Sequence, residues 1–207
     1  MHIIGVDEVG RAALLRRASP QRTYSVGVDE VGRGALAGPL VAAAVRVIDT
    51  RHFPYSDVTD SKLLSDQERR TALVQILKTA QVAYGIVSHQ TIDRLGIQQA
   101  NVLAVDRALR PFLGEQAEVH SDYIGSFEAL TTVPATVTLH VHGELAMPEI
   151  AAASIAAKVF RDDIMVRLSD LLPQYLFSKH KGYGTREHIR AVKRYGRSSY
   201  HRMSFQY

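Results

Sequence analysis

The stretch GVDEVGRGALAGPLVAAAV, residues 27–45, decides how the fold begins. It connects two apolar segments, and these predict strands at residues 23–28 and 40–47. Between the two strands, eight consecutive residues contain three glycines and one proline. Glycine and proline are typical of turns, so the sequence predicts a tight connection that leads directly from the first strand into the second.

An Asp-Glu pair, Asp29 and Glu30, lies where the first of these strands ends. In a regular strand adjacent side chains point to opposite faces, so both acids can serve one site only where the chain turns. Gly32 and Gly34 supply that turn and allow a phosphate backbone to approach closely. The sequence therefore predicts a pair of functional carboxylates here, although a solvated acidic loop is the commoner arrangement.

The rest of the chain alternates between strand and helix patterns. Further strands are predicted at residues 82–87, 118–122 and 136–141. Helices are predicted after a capping box at residues 65–68, with Ala72, Leu73, Ile76 and Leu77 on one apolar face, and at residues 91–113, 148–172 and 185–195. This order predicts one α/β domain, residues 24–207, with a mixed central β-sheet flanked by helices and a C-terminal helical region.

The long helix at residues 148–172 carries a polar stripe. Ser154, Lys158 and Asp162 follow one another at intervals of four residues and share one face. The residues around them are mostly alanines, so this helix can pack close to a sheet. The stripe is then either functional or a plain surface ion pair between Lys158 and Asp162, worth a few tenths of a kcal/mol.

The composition is that of a globular protein with a modest excess of positive charge. The 207 residues carry a formal net charge of +4 and include no cysteine. The absence of cysteine excludes disulfides, thiolate metal sites and cysteine nucleophiles, and it suits a reducing cytoplasm. No apolar run is long enough to span a bilayer, so no membrane contact is expected. Basic residues gather in the C-terminal third, which permits a polyanionic partner.

A third acid, Asp122, ends the strand predicted at residues 118–122. Several acids without any cysteine point to a hard divalent cation with oxygen ligands, Mg²⁺ or Mn²⁺. The histidines do not form a zinc spacing, and His140 and His142 alternate with apolar residues on a predicted strand. We therefore expect these two histidines to be structural.

Six segments of the sequence, in order, resemble bacterial ribonuclease HII. They are GVDEVGRGALAGPLVAAAV (27–45), DSKLLS (60–65), GIQQANVLAVDRAL (96–109), AASIAAKVFRD (152–162), HKGYGT (180–185) and YHRMSF (200–205). The resemblance implies a ribonuclease H-like fold. It also implies metal-dependent cleavage of RNA in RNA–DNA hybrids and incision 5′ of ribonucleotides embedded in duplex DNA. Separately from the resemblance, we expect a cytoplasmic protein that acts as a monomer.

The resemblance also assigns roles to individual residues. The family's acidic tetrad, expected to hold two divalent ions, falls on Asp29, Glu30, Asp122 and Asp162. Asp162 is chosen over Asp163 because it directly follows Arg161, as in the family's arginine–aspartate pair. Asp122 departs from the family's pattern, which usually has a glycine just after this acid.

The resemblance implies a substrate-binding surface as well. Gly32, Arg33 and Gly34 match the element that reads the ribose 2′-hydroxyl, and Tyr183 matches the tyrosine that stacks at the RNA–DNA junction. Four cations are candidates for contacts to phosphate: Lys62, Lys158, Lys181 and Arg202. Ser154, on the same helix face as Lys158, completes the candidate surface.

The heptapeptide GVDEVGR occurs twice, at residues 5–11 and 27–33. The first copy is followed by Ala12 where the second has Gly34, and only the second continues into the next strand. We therefore expect the second copy to be catalytic. Residues 1–23 are interpreted as an extension, natural or introduced by cloning, that carries a partial duplicate and is disordered.

Three alternatives remain open from the sequence. A non-catalytic module could bind RNA–DNA hybrids with the same fold, although all four acids are present. A ribonuclease HIII-like enzyme without single-ribonucleotide activity usually lacks the arginine found here at Arg33 and carries an additional N-terminal domain. A two-metal nuclease acting on DNA junctions is the third, and Arg33 and Tyr183 argue against it.

Overall fold

The computed structural model describes residues 23–59, 61–112, 117–122, 136–140 and 147–206. The first copy of the heptapeptide and almost all of the predicted extension lie outside these residues. The strands are β1 (Tyr24–Val31), β2 (Leu40–Val47), β3 (Ala80–Val87), β4 (Ala117–Asp122) and β5 (Thr136–His140). The helices are α1 (Asp66–Thr79), α2 (His89–Leu95), α3 (Ile97–Leu109), α4 (Pro148–Leu171), α5 (Phe177–His180) and α6 (Arg186–Tyr195).

The five strands form one mixed sheet in the order β3-β2-β1-β4-β5. The first three strands are antiparallel neighbours, as the short glycine-rich connection allows. β4 and β5 are added parallel to β1, which requires the longer crossovers that the helices provide. The second copy of the heptapeptide thus supplies most of the central strand, and the predicted mixed α/β fold is confirmed.

Helices cover both faces of the sheet. Val26 and Val28 of β1 belong to the core cluster formed with α3. Val31 belongs to a second cluster, which includes Ala156 and Ala157 of α4. Strand side chains alternate between faces, so Asp29 lies on the α4 side of β1 and Glu30 on the α3 side.

Helix α4 runs alongside β1 at very close range. A β-carbon added to Gly27 would lie 2.3 Å from the backbone nitrogen of Ile150, and one added to Gly32 would lie 2.2 Å from Nε of Arg161. Five extended residue steps, from Gly27 to Gly32, and eleven helical steps, from Ile150 to Arg161, each span about 16 Å. The two contacts are therefore equally far apart along β1 and along α4. Asp162, the residue after Arg161, is therefore brought to the end of β1.

The C-terminal region packs around a cluster of buried rings. His188 and His201 are 0% and 2% exposed, and their Nε2 atoms lie 3.0 Å apart. The ring of His180 stacks on His188 with centroids 4.4 Å apart. Tyr175 and Phe177, also buried, stack on each other beside these histidines.

Most predicted elements are confirmed, with three differences. The first strand, predicted at residues 23–28, runs on to Val31, so Asp29 and Glu30 lie within β1 and on its opposite faces, not in a turn that follows it. The capping box of Ser65 and Glu68 is formed as expected. The helix predicted at residues 91–113 is instead two helices that meet at Gly96, whose φ of 78° interrupts the helical path. Leu77 was expected on the buried face of α1 but is 54% exposed, because the buried face of this helix is formed by Ala72, Ile76 and Thr79.

No helix in the described part of the chain is long and apolar enough to cross a lipid bilayer.

Candidate active site

The end of β1 brings an acid and a base together. The side chain of Glu30 is 10% exposed, and Nη1 of Arg33 donates to its Oε1 at 3.2 Å. Nη2 of Arg33 also donates to Oε1 of Gln98 on α3 at 3.4 Å, so the arginine links the end of β1 to this helix. Asp29 is half-buried on the other side of the strand.

The two neighbouring acids of α4 lie in different surroundings. Asp162 has a side chain only 5% exposed, and its Oδ1 accepts a hydrogen bond from Nζ of Lys158 at 3.0 Å. Asp163 is 46% exposed and is paired with Arg70 of α1 at 2.5 Å. The Lys158–Asp162 pair is therefore not a plain surface ion pair. Its burial supports choosing Asp162 rather than Asp163 as the functional acid.

Asp122 is placed through the strand register. β1 and β4 are parallel, with Val28 opposite Ser121. One step further along the register sets the backbone of Asp122 level with Asp29. The side chain of Asp122 lies outside the described part of the structure.

Among the described residues, no three carboxylate or imidazole groups are arranged to hold a metal ion. Asp29, Glu30 and Asp162 are among these residues and do not form such a group on their own, and the tetrad that would add Asp122 stays a prediction. All of these donors are carboxylate oxygens, the type that hard divalent cations such as Mg²⁺ and Mn²⁺ prefer, so the residues fit a hard cation by their chemistry.

A buried arginine of α4 shapes the connection between β1 and β2, which we call the β1–β2 loop (residues 32–39). Arg161 is 0% exposed. Its guanidinium donates to the carbonyls of Pro39 at 2.9 Å and Ala37 at 3.2 Å, and to Lys181 at 3.0 Å. Gly32 lies against this guanidinium with a φ of 96°, where a side chain would have no room.

A second buried arginine holds the same loop from the C-terminal segment. The sequence predicts a phosphate contact for Arg202, but the residue is 1% exposed. Its Nη1 donates to the carbonyl of Arg33 at 2.9 Å, and its Nε and Nη2 both donate to the carbonyl of Gly38 at 3.1 Å. A phosphate contact would require Arg202 to leave these carbonyls, so the structure assigns the residue to the support of the loop instead.

Tyr183 is part of the same surface. Its backbone forms a bridge with Ala35 of the β1–β2 loop. Its ring lies 5.3 Å from Cζ of Arg161 and 5.9 Å from Nζ of Lys158. The half-buried ring is therefore fixed next to the loop and next to the cation that pairs with Asp162.

The remaining predicted binding residues are more scattered. Ser154 is 9% exposed and its Oγ lies 2.8 Å from Oγ of Ser61, so this hydroxyl connects α4 to the segment before α1. Nζ of Lys181 donates to the carbonyl of Ser178. Lys62 is exposed. Gly34, also exposed, has open space around its α-carbon.

Comparison with known proteins identifies the family. The family model described as ribonuclease HII matches residues 26–207.

The chain belongs to the ribonuclease HII family.

Ribonuclease HII of Lactobacillus gasseri is 41% identical over 204 residues, which cover 98% of this chain and 70% of that protein. Ribonuclease HII of Pseudothermotoga lettingae is 43% identical over 203 residues, covering 98% and 76%. As a member of this family, the chain is a metal-dependent ribonuclease H, a hydrolase.

Solved structures show the same fold at lower identity. Ribonuclease HII of Archaeoglobus fulgidus, determined in complex with PCNA, has a TM-score of 0.77 at 23% identity and covers 89% of this chain and 96% of its own. Ribonuclease H2 of Pyrococcus horikoshii has a TM-score of 0.73 at 22% identity, covering 88% and 94%. The predicted ribonuclease H-like fold is therefore confirmed.

The roles of the two arginines that hold the loop were not predicted from the sequence. Arg161 entered the sequence interpretation only as the neighbour of Asp162, and Arg202 as a surface cation. Their acceptors are backbone carbonyls 20 to 169 residues away along the chain. The one available signal was Gly32, since a glycine that must lie against another element points to a large neighbour.

Proposed function

We propose that the chain is an endonuclease that hydrolyses the RNA strand of RNA–DNA hybrids and incises 5′ of ribonucleotides embedded in duplex DNA. The products would carry 5′-phosphate and 3′-hydroxyl ends. The proposal is supported by one contact: Arg161 of α4, the residue before Asp162, lies against Gly32 and donates to the carbonyl of Pro39, in the loop that directly follows the strand carrying Asp29 and Glu30.

Four acids would hold two divalent ions, Mg²⁺ or Mn²⁺: Asp29, Glu30, Asp122 and Asp162. When bound, such ions activate a water molecule and stabilise the leaving 3′ oxygen. Arg33 and Lys158 lie against two of these acids and offset part of their negative charge. A ribonuclease HIII designated Bst, with a TM-score of 0.65 at 20% identity over 84% of this chain and 63% of its own, was solved with Mn²⁺.

Recognition of the ribose would depend on the β1–β2 loop and Tyr183. Gly32, Arg33 and Gly34 would meet the 2′-hydroxyl, the group that distinguishes RNA from DNA. The ring of Tyr183, fixed beside the loop by the bridge to Ala35, would stack at the junction with the following deoxynucleotide. Lys158 and Lys181 would contact phosphates, and such contacts weaken as salt concentration rises.

Incision of a DNA duplex that contains a single ribonucleotide tests the proposal. With Mg²⁺ or Mn²⁺ we expect one cut on the 5′ side of the ribonucleotide, and with EDTA we expect none. A DNA ligase should reseal the nick if its ends are 5′-phosphate and 3′-hydroxyl.

The same assay separates the other candidate functions. Binding of an RNA–DNA hybrid without cleavage at any metal concentration would indicate a non-catalytic module. Cleavage of the hybrid but not of the single-ribonucleotide duplex would indicate a ribonuclease HIII-like specificity. Cleavage of an all-DNA duplex or junction at a comparable rate would contradict the role proposed for the β1–β2 loop.

We also propose that residues 1–22 take no part in catalysis and that residues 24–207 are the catalytic domain. The second copy of the heptapeptide is in β1 and leads directly into the β1–β2 loop. A chain that starts at Thr23 should therefore fold and cleave like the full chain. Replacing Asp7 and Glu8 with alanine should change neither property, and an inactive double variant with an active Asp29→Ala variant would show that the first copy is the functional one.

A further inference from the structure

The β1–β2 loop is held mainly from outside its own sequence neighbourhood. The amide of Leu36 donates to the carbonyl of Gly182 at 2.8 Å, and the amide of Gly38 donates to the carbonyl of Tyr200 at 2.9 Å. The carbonyl of Leu36 accepts from the amide of Arg202 at 2.8 Å. The loop that would meet the ribose thus depends on two C-terminal segments for its shape.

Arg202 is the side chain that reaches across this loop. On one edge of its guanidinium, Nη1 donates to the carbonyl of Arg33, near the start of the loop. On another edge, Nε and Nη2 donate to the carbonyl of Gly38, near the end of the loop. A guanidinium has five N–H donors in a rigid plane, so it fixes both carbonyls relative to each other. A lysine ammonium could replace one of these contacts but could not hold both carbonyls in the same geometry.

The position of Arg202 is unfavourable for a positive charge. Burial, and then the nearby charge of Arg161, lower the pKa of Arg202 to about 9. The side chain remains charged at neutral pH, and its recorded hydrogen bonds end on carbonyls. Buried charges often cost stability relative to apolar residues, so their presence is better explained by the geometry that they impose.

The segment that carries Arg202 is itself held in place. Asp93 of α2 accepts hydrogen bonds from the amides of Met203 and Ser204, both at 2.9 Å. Arg197 donates to the carbonyls of Arg202 at 3.2 Å and Met203 at 2.8 Å. These contacts limit the movement of the backbone at Arg202 and in the two residues that follow it.

We propose that Arg202 is a positioning residue for the cleavage reaction: it fixes the carbonyl of Arg33 and so sets how the β1–β2 loop meets the ribose. The inference rests on the function proposed above for that loop. Arg202 does not touch the substrate in this scheme. It acts through the loop, and the scissile phosphate is correctly placed against the acids only when the loop has its native shape.

Arg202→Lys tests the proposal, with Tyr175→Phe as the control. The hydroxyl of the buried Tyr175 also donates to a backbone carbonyl of the C-terminal region, that of Gly196 at 2.8 Å, and this bond involves neither the β1–β2 loop nor the backbone around Arg202. The rate of cleavage of a single-ribonucleotide duplex is measured for each folded variant. For Arg202→Lys we expect kcat to fall about 10- to 100-fold with KM changed less than about threefold, because a misplaced loop affects the reacting geometry more than phosphate binding.

Tyr175→Phe should lose thermal stability but keep kcat within about threefold of the wild type, since it removes a partly buried hydrogen bond to Gly196 and leaves the loop contacts intact. Equal kcat values for the two variants, or a loss in Arg202→Lys explained by its unfolded fraction, would overturn the proposal. If Arg202→Lys does not fold, Arg202→Gln, which removes the buried charge, is measured in the same way. Failure of both variants to fold would show a purely structural role and would also overturn the proposal. Wild-type protein that leaves the duplex uncut would instead refute the proposed function.

Discussion

Two glycines of the β1–β2 loop, two residues apart, should respond in opposite ways to the same substitution. Gly32 has a φ of 96° and lies against Arg161, whereas Gly34 is outside the left-handed region and has no heavy atom within 4 Å of an added β-carbon. Gly32→Ala should therefore damage the fold, and Gly34→Ala should leave it intact. The pair separates the structural requirement for glycine from the functional one.

The size of the effect at Gly32 follows from its surroundings. An alanine in the left-handed region costs about 1–2 kcal/mol. The new methyl would also lie 2.2 Å from Nε of Arg161, which donates to a carbonyl 2.9 Å away, so the guanidinium cannot shift without weakening a hydrogen bond. Overpacking of this kind costs about 1–3 kcal/mol. The sum is about 2–5 kcal/mol, which lowers Tm by roughly 4–20 °C for a domain of this size.

Gly34→Ala should keep its Tm within a few degrees of the wild type, because an alanine there meets open space and slightly restricts the unfolded chain. Its cleavage of a single-ribonucleotide duplex should fall about 10- to 100-fold, since the methyl would occupy the space that the ribose needs. Thermal denaturation followed by circular dichroism, together with steady-state kinetics, measures both. A Gly32→Ala variant with unchanged Tm would refute the contact with Arg161, and a fully active Gly34→Ala variant would refute close approach of the ribose.

Three further outcomes follow from the site. Asp29→Asn should abolish cleavage without unfolding the protein. Asp163→Asn breaks only a half-exposed ion pair with Arg70, so its cleavage rate in a gel assay should stay within about twofold of the wild-type rate. Tyr183→Phe should lower the cleavage rate less than Tyr183→Ala, because phenylalanine keeps the ring. Loss of stacking in Tyr183→Ala should lower the rate about 10- to 100-fold, and equal rates for Tyr183→Ala and wild type would exclude stacking. Burial lowers the pKa of His201 to about 4 from 6.5, so between these pH values the unfolded chain binds more protons than the folded protein. The free energy of unfolding, measured by urea denaturation, should therefore rise by about 2–3 kcal/mol from pH 4 to 6.5. His201→Gln should make this rise smaller.

The elements of the fold could be predicted well because their signals are local. The capping box at Ser65 and the long alanine-rich helix each follow from neighbouring residues, and both were found where expected. The helix predicted at residues 91–113 was wrong as one element, because its division at Gly96 depends on a φ that the sequence does not reveal. Leu77 was misplaced because the direction from which the core meets α1 is set by tertiary packing.

The acids of the candidate site could be proposed from the sequence, but the roles of the two arginines that hold the β1–β2 loop could not. A carboxylate pair beside glycines is visible in the sequence. Helix spacing places Asp162 in a polar stripe, and the family resemblance assigns it to the tetrad. The tasks of Arg161 and Arg202 depend on carbonyls far away in the chain, and a carbonyl has no residue type by which it could be recognised. Whether an arginine faces solvent or the interior is decided by the fold, so charge patterning alone assigned Arg202 to phosphate.

The hydrogen bond between Arg202 and the carbonyl of Arg33 has a consequence for biosynthesis. The two residues are 169 positions apart, and the ribosome adds about 5–20 residues per second. For roughly 8 to 34 s after Arg33 has been added to the nascent chain, its carbonyl therefore has no access to this partner. During that time β1, β2 and β3 can pair, because these strands are close together in the chain, but the β1–β2 loop lacks its hydrogen bonds to Arg202. The β1–β2 loop thus reaches its final set of hydrogen bonds only after the three strands beside it have been synthesised and can pair.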